Sequence, residues 1–244
     1  QIAGEYQPGW MLLSYGKKVS VSSSLEGYPA ENIVDEDART AWVAQSNRDM
    51  EWVQIDLQRL SSIHAIQVNF DEYGANQKGA VSGVYQSYLI YASVNGEDWS
   101  LVVDYGTKKT DTPHDYIEFE EPFKARYIKL QNKEYMVSEN FSVRDLRIFG
   151  KGQGSTPRAV NDFTVERDEA DPCKARLCWE AVPDAQGYIV RYGIAGDKLY
   201  NNFQVMGENT LEIGSLNKGV AYYFTIDAYN ENGITRTSRI KVCR

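Results

Sequence analysis

The chain has few cysteines and histidines for its length, and this scarcity excludes several classes of function. Among 244 residues there are three cysteines and two histidines. Cys173, Cys178 and Cys243 form no CxxC pair of the kind that binds zinc, and three are too few for a disulfide framework. His64 and His114 have no serine or cysteine nucleophile motif near them. We therefore predict no catalytic residues in this chain.

Long apolar runs and clustered basic residues are also missing. No stretch approaches the roughly 20 apolar residues that a membrane helix needs, and no signal-peptide pattern opens the chain. The formal net charge is −8, and residues 1–156 hold 15 basic against 22 acidic side chains. Because nucleic acids and anionic membranes attract clustered lysine and arginine, we expect neither as a partner.

Strand signals dominate the rest of the sequence. Apolar residues alternate with period two in three short runs, Val53/Ile55/Leu57, Ile66/Val68/Phe70 and Leu146/Ile148. The pair Asn95-Gly96 lies between apolar runs and predicts a type I′ hairpin, since both residues tolerate positive φ. These patterns predict an all-β fold, with residues 12–151 forming an antiparallel jelly-roll β-sandwich.

A glycine-rich segment interrupts this pattern. Residues 150–157 read GKGQGSTP, a composition that does not pack a core. We predict a linker over residues 152–157, which separates a domain at 12–151 from a second domain at 158–244. Residues 1–11 form a junction segment in this division.

Two carboxylates and a hydroxyl crowd together just before Trp42. Asp35, Asp37 and Thr40 supply oxygen atoms on a short loop where backbone carbonyls are also free to turn inward. Ca²⁺ takes six to eight oxygen ligands at about 2.3–2.6 Å, so the loop is a candidate cation site. On spacing alone, an ordinary acidic turn is the better interpretation.

Four motifs in order resemble the discoidin, or coagulation factor 5/8 type C, family, which overlaps carbohydrate-binding module family 32. They are residues 29–57, YLIYASVNGEDW at 88–99, FKARYIKL at 123–130 and SVRDLRIFG at 142–150. The resemblance covers roughly residues 12–151. It implies a structural Ca²⁺ that joins the entry loop to the last strand and is held by six residues: Asn32, Asp35, Asp37, Thr40, Arg144 and Asp145.

The resemblance also implies how each residue would bind the ion. Asn32, Asp37 and Arg144 would give backbone carbonyls, Asp35 and Asp145 carboxylate oxygens, and Thr40 both its hydroxyl and its carbonyl. Two positions depart from the family, which usually has glycine where Glu36 stands and glutamate where Asp145 stands. The shorter side chain of Asp145 can lengthen that bond or leave it to water.

Residues 157–244 resemble a fibronectin type III domain, an immunoglobulin-like β-sandwich. The segments LCW at 177–179, GYIVRY at 187–192 and residues 216–233 look like its strands B, C and F. Tyr222 stands at the tyrosine corner, where its hydroxyl would return to the backbone near Leu216. Strand counting places Cys173 and Cys243 at one pole, and we predict a disulfide between them. Three reduced thiols is the open alternative.

Sugar recognition needs an aromatic face and a few polar groups on loops at one end of a sandwich. Galactose-binding relatives place an arginine and then an asparagine after the third or fourth strand, but this chain has no arginine between Arg59 and Arg126. Each remaining candidate is otherwise a solvated loop residue or a contact to a neighbouring module. These candidates are Tyr28, Asn47, Arg48, Tyr73, Asn76 and Gln77.

The opening residues 5–15, EYQPGWMLLSY, resemble the junction after the catalytic domain of bacterial glycoside hydrolases of the family 43 type. The resemblance implies non-catalytic modules of a longer secreted, periplasmic or cell-surface enzyme. We expect carbohydrate binding by the first module and a spacer role for the second, with a polysaccharide or glycan as partner. The alternative is a purely structural pair that packs on the missing catalytic domain and binds no sugar.

Overall fold

The computed structural model describes residues 9–75 and 83–244 and divides them into two compact units, Leu12–Gln153 and Gly154–Arg244. Both units are built from β-strands, as the sequence predicts. No helix within the described residues is long and apolar enough to cross a bilayer.

The first unit contains a single hydrogen-bonded sheet of eight strands and one short 3-10 helix, Ala30–Val34. The strand order is β1-β8-β4-β7-β5-β6, with β2 added to β4 and β3 added to β8. The strands are β1 (Met11–Leu12), β2 (Lys18–Val21), β3 (Trp42–Val43), β4 (Trp52–Phe70), β5 (Gln86–Ser93), β6 (Ser100–Tyr105), β7 (His114–Tyr135) and β8 (Ser142–Gly152).

Two irregularities in β4 bend this sheet around its core. The β4–β7 register breaks between Asp56 and Ser61 and again between Ile63 and Ala65, and such bulges bend a strand. The register with both β7 and β8 shifts between Ile63 and Ala65, so the buried face shifts by one residue along β4. The apolar residues that the alternation predicted to face inward are buried on both sides of this break: Val53, Ile55, Leu57, Ile66, Val68 and Phe70.

The connection between β5 and β6 differs from the predicted type I′ turn. Gly96 has a φ of +83°, but Asn95 does not have a positive φ. The Asn95 carboxamide oxygen instead accepts hydrogen bonds from the backbone N–H groups of Glu97 and Asp98, both at 2.9 Å. An asparagine side chain that bonds to the backbone ahead of it favours this longer turn, and the strands pair only from Ala92 onward.

The second unit consists of two antiparallel sheets around a separate core. One has the order β13-β10-β9, and the other has the order β12-β11-β14-β15 with β16 also paired to β14. Its core includes Leu177, Trp179, Phe224 and Ile226. The strands are β9 (Phe163–Arg167), β10 (Ala175–Trp179), β11 (Gly187–Gly193), β12 (Asn201–Met206), β13 (Thr210–Ile213), β14 (Tyr222–Asn230), β15 (Gly233–Thr235) and β16 (Lys241–Cys243).

The predicted linker, residues 152–157, is largely absorbed into the two units. Gly152 is the last residue of β8 and pairs with Ser61. Beyond Gln153, the N–H of Gly154 donates to the Asn232 side chain at 2.8 Å, and the carbonyl of Ser155 accepts from the Asn232 amide at 2.9 Å. These hydrogen bonds fix the backbone of Gly154 and Ser155 within the predicted linker.

The predicted Cys173–Cys243 disulfide is not formed, because all three cysteines are free thiols in the structure. The Cys243 side chain is buried and belongs to the core of the second unit. Cys173 is half-buried in a turn, where its N–H donates to the carboxylate of Asp171 at 3.1 Å. Strand counting did not account for the inward direction of the Cys243 side chain.

Candidate functional site

The loop that follows the 3-10 helix is closed by its own polar groups. One oxygen of the Asp35 carboxylate accepts the N–H of Asp37 at 2.8 Å, and the other accepts the hydroxyl of Thr40 at 2.8 Å. The Thr40 hydroxyl and N–H also lie 3.0 and 3.1 Å from the Asp37 carbonyl oxygen. The structure thus brings Asp35, Asp37 and Thr40 together in one compact turn.

The Asp37 carboxylate points to solvent and is paired with Arg39. The Arg39 guanidinium donates to both carboxylate oxygens, at 2.9 and 2.8 Å, and lowers the pKa of Asp37 to about 2. The carboxylate is therefore occupied by an exposed ion pair. Only the Asp37 carbonyl remains for a cation, which is the role that the family resemblance implies.

Asp145 reaches this region from β8 and is only 8% exposed. Burial raises the pKa of the Asp145 carboxyl group, and the neighbouring carboxylates of Glu36 and Asp35 raise it further. A hydrogen bond from Asn69 at 3.0 Å and the positive charge of Arg147 act in the opposite direction. Asp35 and Asp145, which are 110 positions apart in the sequence, are therefore electrostatic neighbours.

Arg144 is the extra residue of a bulge between β8 and β4. Asn69 pairs with Asp145 and Phe70 pairs with Val143, so Arg144 has no ladder partner on β4. Its side chain donates to the Asp71 carboxylate at 2.6 Å, which holds this part of the strand in place. A bulge commonly re-aims the backbone next to a site, and this one lies directly beside Asp145.

Glu36 and Arg147 form a contact that sequence analysis missed. The guanidinium of Arg147 donates to both carboxylate oxygens of Glu36, at 3.0 and 2.8 Å, and also to the Gln67 side chain at 3.1 Å. The backbone of Glu36 is left-handed, with φ of +60°. The family's usual glycine at this position was the available signal, because glycine adopts that conformation without strain.

A hard cation at these residues would need backbone carbonyls for much of its coordination. The observation that supports the fit is the buried Asp145 carboxylate, which lies beside two other carboxylates. Within residues 9–75 and 83–244, no three acidic, histidine or cysteine side chains are arranged to hold a metal. The carbonyls of Asn32, Asp37 and Arg144 would therefore have to complete the set. The Asn32 side chain itself donates to the Ala41 carbonyl at 2.8 Å.

The sugar-site candidates lie on separate loops, and the structure brings two of them into contact. The rings of Tyr28 and Tyr73 meet edge to face, with centroids 4.9 Å apart, and both side chains are half-buried. The next residue, Gly74, has a φ of +71° and lies beside Ser138, so a third loop adjoins the pair. Asn76 and Gln77 lie outside the described residues.

The amide of Asn47 holds these loops together. Its nitrogen donates to the carbonyl oxygens of Ser138 at 2.8 Å and Tyr135 at 3.3 Å. These two hydrogen bonds occupy the N–H donors of the Asn47 amide, so little donor capacity is left for a sugar hydroxyl. Arg48, the next residue, is exposed and lies close enough to Glu51 to lower the pKa of that carboxyl group.

Glu51 is the centre of a hydroxyl cluster that sequence analysis did not identify. Its carboxylate accepts hydrogen bonds from Ser22, from Ser23 at 2.8 Å and from Ser46 at 2.6 Å. Burial acts to raise the pKa of Glu51, but these bonds and the charge of Arg48 outweigh burial and lower it. A cleft of about 480 Å³ opens here, lined by Ser22, Ser23, Gln45, Ser46, Arg48, Asp49, Met50 and Glu51.

Residues 18–145, just over half of the chain, match the F5/8 type C domain family. Two curated relatives are lactadherin from Rattus norvegicus, 32% identical over 110 residues, and lactadherin from Mus musculus, 31% identical over 110 residues. Each alignment covers 42% of this chain and about a quarter of the lactadherin.

The fold is also similar to solved carbohydrate-binding modules. One is chitosan-binding module 1 of a chitosanase/glucanase from Paenibacillus sp. IK-5, which is 19% identical and has a TM-score of 0.49 over 57% of this chain and 99% of that one. Another is the family 32 module of C. perfringens NanJ in complex with galactose, which is 17% identical and has a TM-score of 0.46 over 57% and 98%.

Proposed function

Because this chain belongs to the F5/8 type C domain family, we propose that its first unit is a non-catalytic module that binds carbohydrate. In this proposal, the second unit is a fibronectin type III spacer, and both belong to an exported glycoside hydrolase. The observation that carries the proposal is the aromatic pair Tyr28–Tyr73 on loops of the first unit.

The surroundings of this pair suit a sugar. A pyranose presents one apolar face, which packs on an aromatic ring, and hydroxyl groups that need polar partners. Tyr28 and Tyr73 offer half-buried rings, and their hydroxyl groups add polar partners. The hydrogen bonds of Asn47 to the Ser138 loop hold the neighbouring backbone in one arrangement, which lowers the entropy lost on binding.

We further propose that Ca²⁺ stabilises the first unit through Asn32, Asp35, Asp37, Thr40, Arg144 and Asp145. The bound ion would supply positive charge between carboxylates that otherwise repel each other. This charge would favour the ionised form of buried Asp145 and tie the Asp35–Thr40 loop to β8. The raised pKa of buried Asp145 supports the proposal, because a buried carboxylate without a full counter-charge is costly.

The spacer role of the second unit is supported by its sheet arrangement. A sheet of three strands and a sheet of five strands, both antiparallel, share one core. The Tyr222 hydroxyl accepts the N–H of Asn217 at 3.1 Å, next to Leu216. This hydrogen bond has the form of the tyrosine corner of immunoglobulin-like folds.

Affinity electrophoresis of the whole chain in gels with soluble xylan, arabinan, galactan or mucin tests the carbohydrate proposal. We expect at least one polysaccharide to retard the chain, and the double variant Tyr28→Ala/Tyr73→Ala to lose that retardation. Tyr116→Ala is the matched control, because Tyr116 is an exposed tyrosine on β7 and not on these loops. A parent chain that no polysaccharide retards would overturn the proposal and favour purely structural modules.

A further inference from the structure

The cleft beside Glu51 is separate from the Tyr28–Tyr73 pair and is built on a fixed loop. Asn132, which is fully buried, donates through its side-chain amide to the carbonyls of Asn47 at 2.8 Å and Arg48 at 2.9 Å. Its backbone N–H donates to the Glu51 carbonyl at 2.8 Å, and its own carbonyl accepts the N–H of Met50 at 3.3 Å. One buried residue thus fixes three positions of the cleft wall, Arg48, Met50 and Glu51, before any ligand arrives, which is the condition for a precise site.

Met50 has an unfavourable conformation at the edge of this cleft. Its φ is +83°, a left-handed value that a long side chain rarely adopts, and its side chain is 62% exposed. The sulfur accepts a hydrogen bond from Gln131 at 3.2 Å. An apolar thioether is therefore held against a polar cleft by a strained backbone, and such strain concentrates at functional sites.

The serines around Glu51 have fixed hydrogen-bond directions. The Ser22 oxygen accepts the N–H of Trp52 at 2.9 Å, and the Ser23 oxygen accepts the N–H of Gln45 at 3.0 Å. Their hydroxyl hydrogens consequently point to the Glu51 carboxylate, which stays ionised at neutral pH because its pKa is lowered. A carboxylate has about four acceptor positions, and three serines leave one for a ligand hydroxyl.

The charges and lining of the cleft select the chemical class of its ligand. The carboxylate of Asp49 is paired with Lys133 at 2.7 Å, and the Glu51 carboxylate at the centre of the cleft repels a phosphate or a uronate. The lining contains no aromatic ring, so a sugar ring here would pack on the apolar side chain of Met50 in place of the aromatic face that the Tyr28–Tyr73 pair offers. A neutral polyol suits this combination of an acceptor in Glu51, a donor in Arg48 and an apolar surface in Met50. A volume of about 480 Å³ lies in the usual range for small ligands.

We propose that this cleft is a second saccharide subsite, which takes a neutral pyranose of the same glycan chain. Glu51 accepts a sugar hydroxyl, Arg48 donates to another, and Met50 covers a CH face of the ring. The inference rests on the proposed function, since the ligand is a glycan in both. It adds a distinct set of residues, none of which belongs to the Tyr28–Tyr73 pair.

Amide NMR titration of the whole chain tests the subsite, with xylohexaose, arabinohexaose, cellohexaose and N-acetylchitohexaose as probes. We expect shifts of the amide signals of Met50 and Glu51 with at least one probe. Glu51→Gln and Arg48→Ala should each weaken that probe by about tenfold. Arg48 is exposed and its side chain can be removed without disturbing the fold. Glu97→Gln, an exposed change on the β5–β6 loop, is the matched control and should bind as the parent does.

The outcomes separate the two proposals. If a probe binds and shifts only the region of Tyr28 and Tyr73, while Glu51→Gln and Arg48→Ala bind like the parent, the subsite is overturned and the proposed function stands. If no probe binds the parent chain although a polysaccharide retards it, the subsite is overturned and the proposed function stands. If neither a probe nor a polysaccharide binds, both are overturned. If Tyr28→Ala/Tyr73→Ala still shows probe-dependent shifts at Met50 and Glu51, the cleft binds saccharide by itself.

Discussion

The carboxylate of Glu36 and the guanidinium of Arg147 form a two-bond ion pair, although the backbone of Glu36 has the left-handed conformation that glycine prefers. The side chain therefore makes a contact that offsets an unfavourable backbone. The pair lies beside Asp145, whose pKa both of its members influence in opposite directions. Arg147 is thus a cationic partner of this group of carboxylates.

We expect Glu36→Ala to be less stable than Glu36→Gly by about 1 kcal/mol. Both variants lose the bonds to Arg147, so their difference isolates the backbone strain at φ of +60°. Urea unfolding of the two variants measures this difference. Equal stabilities would mean that the loop relaxes to another conformation when the ion pair is removed.

Removal of divalent cations should lower the melting temperature of the first unit. A ligand that binds only the folded state adds about 2.7 kcal/mol at ~100-fold excess over its Kd. Calorimetry of the whole chain with excess chelator and then with Ca²⁺ measures the effect. Asp35→Ala and Asp145→Asn should abolish the response to Ca²⁺.

Asp37→Asn is the matched control for this experiment. Its side chain pairs with exposed Arg39, and only its carbonyl is proposed to bind the ion, so the response to Ca²⁺ should persist. A parent chain that melts at the same temperature with chelator and with Ca²⁺ would contradict the metal proposal.

The Glu51 cluster predicts a pH dependence of stability. Because its pKa is lowered in the folded state, ionised Glu51 stabilises the fold above its unfolded pKa of about 4.3, and this contribution is lost as pH falls through the folded pKa. The difference in free energy of unfolding between the parent and Glu51→Gln should therefore be constant above about pH 5. Below about pH 4 this difference should decrease, by up to about 1 kcal/mol. Urea unfolding at a series of pH values checks this. A difference that does not change with pH would show that the carboxylate is not held by its serines.

Local alternation was sufficient to predict the strands but not the site. Val53, Ile55 and Leu57 are buried as predicted, because a half-buried strand repeats every two residues whatever its partners are. The bulge at Arg144 depends on the register between β8 and β4. The contact between Tyr28 and Tyr73 depends on how two loops 45 positions apart in the sequence meet. Periodicity contains no information about either.

Residue type also did not show how a polar side chain is used. Asn47 was a candidate for sugar recognition, yet its amide nitrogen bonds to the Ser138 carbonyl 91 positions away. Glu51 received no attention, because three serines on two other segments become its partners only in the folded chain. Glu36 is the exception, since its departure from the family's glycine marked a position with positive φ.

Tyr222→Phe should destabilise the second unit by about 1 kcal/mol, since the N–H of Asn217 would lose the hydroxyl of buried Tyr222 as its acceptor. Tyr223→Phe, the adjacent half-buried tyrosine on β14, is the control and should change stability by less. The measurement is the unfolding transition of the second unit in the whole chain. If both variants unfold alike, the Tyr222 hydrogen bond makes no net contribution.

The cysteines should count as three free thiols in denatured, non-reduced protein. In the native chain, Cys243 should react with a thiol reagent more slowly than Cys173 and Cys178. Its side chain lies in the core, and burial raises the pKa of its thiol and so lowers the thiolate fraction. Mass spectrometry after timed alkylation gives the rate at each position. One free thiol in the denatured protein would instead establish a disulfide, and Cys243 would then have to turn out of the core to reach Cys173.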